Sequence, residues 1–163
     1  MVATVQIVEK NGAGGTATDK TSGTIRMKNA DNATVDNNNP MVIPGAGSDF
    51  SFEKWLRLNV TGAPSVQLSN IRFYTDGSNG MGTGVLLWAK AVASYATPAE
   101  ATSTSGYTNA FSYTSGSPLS LGAGPFTGTG EKGDHAVLMQ EVQSTATQGQ
   151  TPSETITFSY DEI

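Results

Sequence analysis

The sequence predicts an all-β protein, a single antiparallel β-sandwich of about eight strands joined by long loops. Three observations predict it. Apolar and polar residues alternate with period two in several short segments, notably Thr24 to Lys28, Leu56 to Val60 and Thr155 to Tyr160. Turn residues punctuate the chain roughly every 8–15 positions. No strand pattern alternates with a helical one, which argues against a parallel α/β sheet. The chain has 163 residues, enough for one domain with a real core. No fixed-period repeat and no linker divides it, so residues 1–163 are read as one domain, with 1–45 as an arm or peripheral strands.

Composition agrees. Gly, Ser and Thr make up about a third of the residues. Charged residues are 14%, well below the usual ~25%. A disordered chain with so few apolar residues would normally be charge-rich, so a β-fold with polar loops is the better reading. Net charge is −5, and the nine basic residues are scattered singly. Nucleic-acid binding needs a basic stripe that releases counterions, so no nucleic-acid partner is expected. The absence of cysteine excludes disulfides and thiolate chemistry and suggests assembly in a reducing cytoplasm. No apolar run reaches the ~18 residues of a membrane helix, so no membrane partner is expected. The start, Met1-Val2-Ala3-Thr4-Val5, reads as a first strand rather than a signal peptide.

Taken in order, Val2 to Glu9 is β-branched and strand-like, and Asn11 to Gly15 breaks it. Thr24 to Lys28 reads as a half-buried strand with Ile25 and Met27 on one face. Asp31 to Asn39 is a polar loop, and Met41 to Ile43 a short strand stopped by Pro44. Phe50 to Val60 is the strongest element; its phase slips between Phe52 and Trp55, which suggests a bulge. Gln67 to Thr75 carries another slip. Val85 to Ala93 is apolar on both faces, so it is a strand covered twice, by the core and by a second surface such as a neighbouring subunit. A short buried helix competes, because Ala89, Ala91 and Ala93 are good helix formers. Tyr107 to Tyr113 reads as a strand, Ser115 to Gly133 as a long loop, His135 to Val142 as a strand and Ser144 to Ser153 as a turn-rich link. The closing strand turns Ile156, Phe158 and Tyr160 inward.

Little here points to catalysis, and the chain is read as a non-enzyme. His135 is the one histidine; Asp134 beside it would point to the opposite strand face, and no nucleophile elbow is present. A surface or interface histidine is the favoured reading. Carboxylates are sparse, and no pair shares one strand with inward phase as a glycosidase would need. Asp31 to Asn39 and Asp76 to Gly80 offer oxygen ligands but miss the calcium-loop pattern, so no metal or other cofactor is expected. Gly80 to Gly84 lacks the lysine and helix of a phosphate loop. The residues Trp55, Trp88, Tyr74, Tyr95, Tyr107 and Tyr113 could form a sugar-stacking platform, although core packing and subunit contacts explain strand aromatics more often.

Two stretches resemble a known family. They are Val137 to Thr147 followed by the ending Glu154 to Glu162, and Trp55-Leu56-Arg57-Leu58-Asn59-Val60 paired with Ile71-Arg72-Phe73-Tyr74-Thr75-Asp76. In texture and order they are similar to small virion proteins of tailed double-stranded DNA bacteriophages, above all the capsid decoration, or cement, proteins. The likeness spans roughly residues 50–163. It implies a jelly-roll-like sandwich, often a homotrimer, that sits on the capsid exterior after assembly in the bacterial cytoplasm. Its partner would be the major capsid protein, whose capsomers it clamps together. On this reading Leu86, Leu87, Trp88, Trp55, Tyr107 and Tyr113 are the candidate oligomer or capsid-interface residues. The alternative is a carbohydrate-binding module of a phage tail or a secreted protein.

Overall fold

A computed structural model describes residues 2–149 and 153–163. The described residues form ten strands in two antiparallel sheets. The larger sheet has seven strands: β1 (Thr4–Asn11), β2 (Thr16–Asp19), β3 (Ser48–Phe50), β4 (Lys54–Gly62), β6 (Val85–Val92), β7 (Thr108–Asn109) and β9 (Gly130–Gln143). Its order is β2-β1-β4-β9-β6-β7, with β3 pairing the far end of β9. The smaller sheet has three: β5 (Leu68–Tyr74), β8 (Leu119–Gly122) and β10 (Thr157–Glu162), in the order β10-β5-β8.

The two sheets enclose one core. Leu56, Leu58, Val60, Leu87, Ala89 and Leu138 from the large sheet meet Leu68, Ile71, Phe73 and Leu121 from the small one. These are alternate residues along their strands, so period-two patterning places them on the shared face. Ile156, Phe158 and Tyr160 pack against the same core, as the closing-strand pattern predicts.

Both phase slips have a backbone cause. Phe50 to Val60 is two strands: β3 and β4 lie end to end along β9, and residues 51–53 kink between them. Ser51 stays tied there, its amide donating to the Gln140 carbonyl at 2.9 Å. In β5 the slip is Asn70, whose φ of 50° swings the strand between Leu68 and Ile71. Asparagine tolerates this left-handed conformation better than most residues.

Of the two readings of residues 1–45, arm or peripheral strands, the chain start takes the second: β1 runs beside β4 from Val5↔Val60 to Lys10↔Trp55, and β2 pairs with β1 at the sheet edge. Other expectations are corrected. Thr24 to Lys28 and Met41 to Ile43 belong to no strand. Tyr107 to Tyr113 shrinks to the two residues of β7 and a 3-10 turn over Ala110–Ser112, because the Asn109 side chain accepts from the Phe111 amide and starts a turn instead. Ser115 to Gly133 is not one loop; Leu119 and Leu121 anchor β8 within it, and Gly130 opens β9. Val85 to Val92 is the strand of its first reading, and the competing helix does not form.

The seven-stranded sheet is wider than its three-stranded partner. The remaining inner face is covered by the irregular segment 20–47. A coil laid on a sheet brings unpaired carbonyls into a dry space, and these need donors. Three buried lysines supply them. The ammonium of Lys20 donates to the carbonyls of Thr24 and Ala33 at 3.1 and 2.6 Å. Lys28 donates to the Thr34 carbonyl at 3.0 Å and to Asp36 at 3.1 Å. Lys54 donates to the Asn32 carbonyl at 2.7 Å and to Glu9 at 2.9 Å. The side chains of Lys54 and Glu9 are fully buried.

Two predictions follow from the packing. Gly133 (φ 71°) sits where β9 passes under β8, and a Cβ there would lie 2.5 Å from the Leu121 carbonyl oxygen. Gly133→Ala is therefore expected to lower unfolding free energy by more than about 1 kcal/mol in urea titration. Lys28→Met removes the donor that holds residues 34–36. Amide exchange at Thr34 and Asn38 should accelerate by about tenfold or more, since hydrogen bonds to charged groups contribute about 1.5–3 kcal/mol.

Candidate functional site

Where the coil segment and the small sheet fail to meet, a groove of about 1200 Å³ opens onto the inner face of the large sheet. Its floor is Val5, Ile7, Leu58, Leu87, Leu138 and Val142. One wall is Ile25, Met27 and Met41–Ile43; the other is Ile156 with Phe158 and Tyr160 of β10. A sealed apolar void of this volume would cost about 29 kcal/mol at ~24 cal/mol per Å³. That exceeds the ~5–15 kcal/mol by which a domain is stable, so the feature is an open groove and not a cavity. Among the described residues β10 pairs only with β5, so its far edge is free and flanks the groove. Arg26 and Glu154 are the charged groups on the rim, with Lys20 engaged below by carbonyls and by Glu9.

The opposite, outer face of the large sheet carries both tryptophans, with Tyr95 and Tyr107. It is crossed by residues 93–107, which are tied down by the Glu53 amide donating to Ala99 and the Ala101 amide donating to Ser51. Beneath this strap Trp55 stacks edge-on against Tyr95 and His135, with ring centroids 5.4 Å away in both cases. Beside it, the Glu53 carboxylate accepts from the Tyr107 hydroxyl, from Lys90 at 3.0 Å and from the Trp55 indole at 3.0 Å. Lys90 also lies 4.0 Å from the Tyr107 ring centre, a cation–π contact. Burial alone would raise the Glu53 carboxyl, but the three donors outweigh it and hold it below the usual range. Burial and the Glu53 carboxylate push the Tyr107 phenol far up, so it stays a donor.

The candidate interface residues therefore separate. Leu87 faces the main core, and Trp55 is only 3% exposed beneath Tyr95; both are consumed inside the subunit and offer no interface. The two-sided apolar character of β6 has an internal explanation on one side only. Tyr113 packs on the core, and Tyr107 is engaged by Glu53. Leu86 and Trp88 are half-buried on the outer face, where the Trp88 indole donates to Glu141 at 2.9 Å. The six aromatics expected as a sugar platform are dispersed: Tyr95 donates to the Gly12 carbonyl, and Tyr74 belongs to the small sheet.

His135 is neither a surface nor an interface group; it is 1% exposed. Its Nδ1 lies 3.1 Å from the Val92 carbonyl, and Nε2 is buried without a partner among the described residues. Burial holds its pKa below 6.5, with Arg57 and Lys10 adding to the effect against the opposing Val92 contact. No cluster of three or more metal-ligating side chains occurs among the described residues, and no helix among them is long and apolar enough to cross a membrane. Sequence reasoning missed the groove and the buried lysines. The alternation of Ile25 and Met27 was the available signal for the first; nothing in the pattern marked the second.

Because the His135 pKa is lowered on folding, the unfolded chain takes up the proton first as pH falls. Its contribution to stability is present above the ordinary value of about 6.5 and is lost on acidification through and below it. The melting temperature should fall between about pH 7.5 and about pH 5.5, and His135→Phe should flatten that slope. Glu53, Glu131 and Asp161, held low, act in a separate window below about pH 4.5.

No family model, curated protein or solved structure matches this chain.

Proposed function

We propose that the protein is a virion structural protein, a capsid decoration or cement protein that binds the outer capsid surface and stabilises contacts between capsomers of the major capsid protein. The observation that carries this reading is the groove beside the free edge of β10. A strand edge next to an apolar trough accepts an extended segment of another protein: main-chain hydrogen bonds give affinity, and alternate side chains fill the trough. The half-buried Leu86 and Trp88 give a second, separate patch on the outer face, so one subunit can engage two neighbours. A homotrimer would multiply these contacts by avidity, and mass action on the bound form would then stabilise the lattice. The sequence resemblance points the same way. The carbohydrate-binding reading is weaker, because the aromatic residues are engaged internally and do not share one exposed platform.

Co-sedimentation with purified capsid shells tests the proposal. The protein is expected to pellet with shells at saturable stoichiometry and to raise their resistance to heat. Phe158→Asp, which places a charge in the groove, should reduce pelleting by at least about tenfold, the loss of about 1.4 kcal/mol. A protein that stays in the supernatant at all ratios would overturn it.

A further inference from the structure

The buried charges do more than pin the coil. In the β1–β4 ladder Glu9 faces Leu56 and Lys10 faces Trp55. The next pair in that register is Asn11 with Lys54, the last residue of β1 and the first of β4. Cross-strand partners share a face, with Cβ atoms about 4.5–5.5 Å apart. Glu9 lies on the same face, two residues from Asn11. A single carboxylate oxygen, Glu9 Oε1, is 2.9 Å from Lys54 Nζ and 3.3 Å from Asn11 Nδ2. An amine, an amide and a carboxyl group thus meet at one oxygen.

The surroundings suit reaction between them. The Glu9 and Lys54 side chains have no solvent exposure, so hydrolysis does not compete. Lys54 is aimed by the Asn32 carbonyl at 2.7 Å. Asn11 Nδ2 also donates to Asp31 at 2.9 Å, so the amide nitrogen is held between two carboxylates. Asn11 Oδ1 and Glu9 Oε2 are buried with no hydrogen-bond partner among the described residues, Lys20 standing 3.8 Å from the latter. Unpaired buried acceptors are rare and call for a reason.

We propose that Lys54 and Asn11 join spontaneously through an isopeptide bond, with Glu9 carrying the protons. Glu9 Oε1 takes one proton from the Lys54 ammonium, leaving an amine. The amine lone pair attacks Asn11 Cγ and a C–N bond forms. The Cγ–Nδ2 bond breaks as Glu9 passes the proton to Nδ2. A second proton, lost from the former Lys54 nitrogen, goes by the same route. Of the three ammonium protons one stays on the new amide and two leave with the Nδ2 amino group as ammonium. Charge is conserved, and nothing is oxidised or reduced. Asn11 and Asp31 line a shallow pocket at the surface, which gives the ammonium its exit. The bond ties β1 to β4 and closes the chain around residues 11–54, the covering coil included. It does not rest on the capsid reading and is tested without capsids.

The experiment is mass spectrometry of the purified full chain under denaturing conditions, followed by tryptic mapping. The expected protein is lighter than its sequence by one ammonia, with a branched peptide joining Asn11 to Lys54. Lys54→Arg and Glu9→Gln are expected to restore the full sequence mass. An unmodified mass in the wild type overturns the proposal. So does an ammonia loss confined to the peptide carrying Asn11, because a succinimide at Asn11-Gly12 has the same mass but no branch. A branch that persists undiminished in Glu9→Gln overturns the role given to Glu9.

Discussion

The Lys54–Glu9 pair, as it stands before Lys54 reacts, is the contact on which the rest of the arrangement depends. It lies on the inner face of the large sheet, where the small sheet does not reach. Removing two charges from water costs several kcal/mol per ion, and their attraction offsets this only where further hydrogen bonds complete both groups. Lys54 meets that condition, with Glu9 and the Asn32 carbonyl as acceptors. Glu9 meets it less fully, since one oxygen has only the longer approach of Lys20. The pair therefore adds little stability over two apolar residues. What it fixes is position: the carbonyls of Thr24, Asn32, Ala33 and Thr34 are each met by a buried lysine ammonium.

That constraint shapes the groove. Were the second layer a full sheet, strands would satisfy one another and the inner face would be closed. A three-stranded layer leaves part of that face to a coil, and the coil is held at the sites of Lys20, Lys28 and Lys54. Between these anchors and β10 lies the groove, with Ile7 and the buried Leu58 and Leu138 at its floor. Groove and buried charge cluster have the same origin, the mismatch in width between the two sheets.

The fold was legible where side-chain alternation and burial agree. Leu56, Leu58 and Val60 announce an inner face, as do Ile156, Phe158 and Tyr160, and both sets face the core. Even the phase slips were readable, because a kink at 51–53 and a left-handed Asn70 leave their mark on periodicity. Thr24 to Lys28 shows the limit. Ile25 and Met27 do pack inward, yet the backbone pairs with no strand, and Lys28, expected on the outer side, is the most buried of the five. Alternation reports the direction of side chains, not the partners of the main chain. Lysine is almost never fully buried unless paired, so no local rule identifies three in one layer; each is explained by a carbonyl distant from it in the pattern.

The candidate sites were less legible, for a related reason. Trp55, Tyr107 and Trp88 stand at outward positions, where an aromatic residue suggests a partner molecule. The chain meets two of the three itself, by laying residues 93–107 over the sheet and placing Glu53 among the polar tips of Trp55, Tyr107 and Lys90. A side chain that is outward from a strand is not outward from a protein when a loop returns over it. What stays available is what neither covering segment reaches: the groove on one face, and Leu86 with Trp88 on the other. These lie on opposite faces of one sheet, with β6 and β9 contributing residues to both.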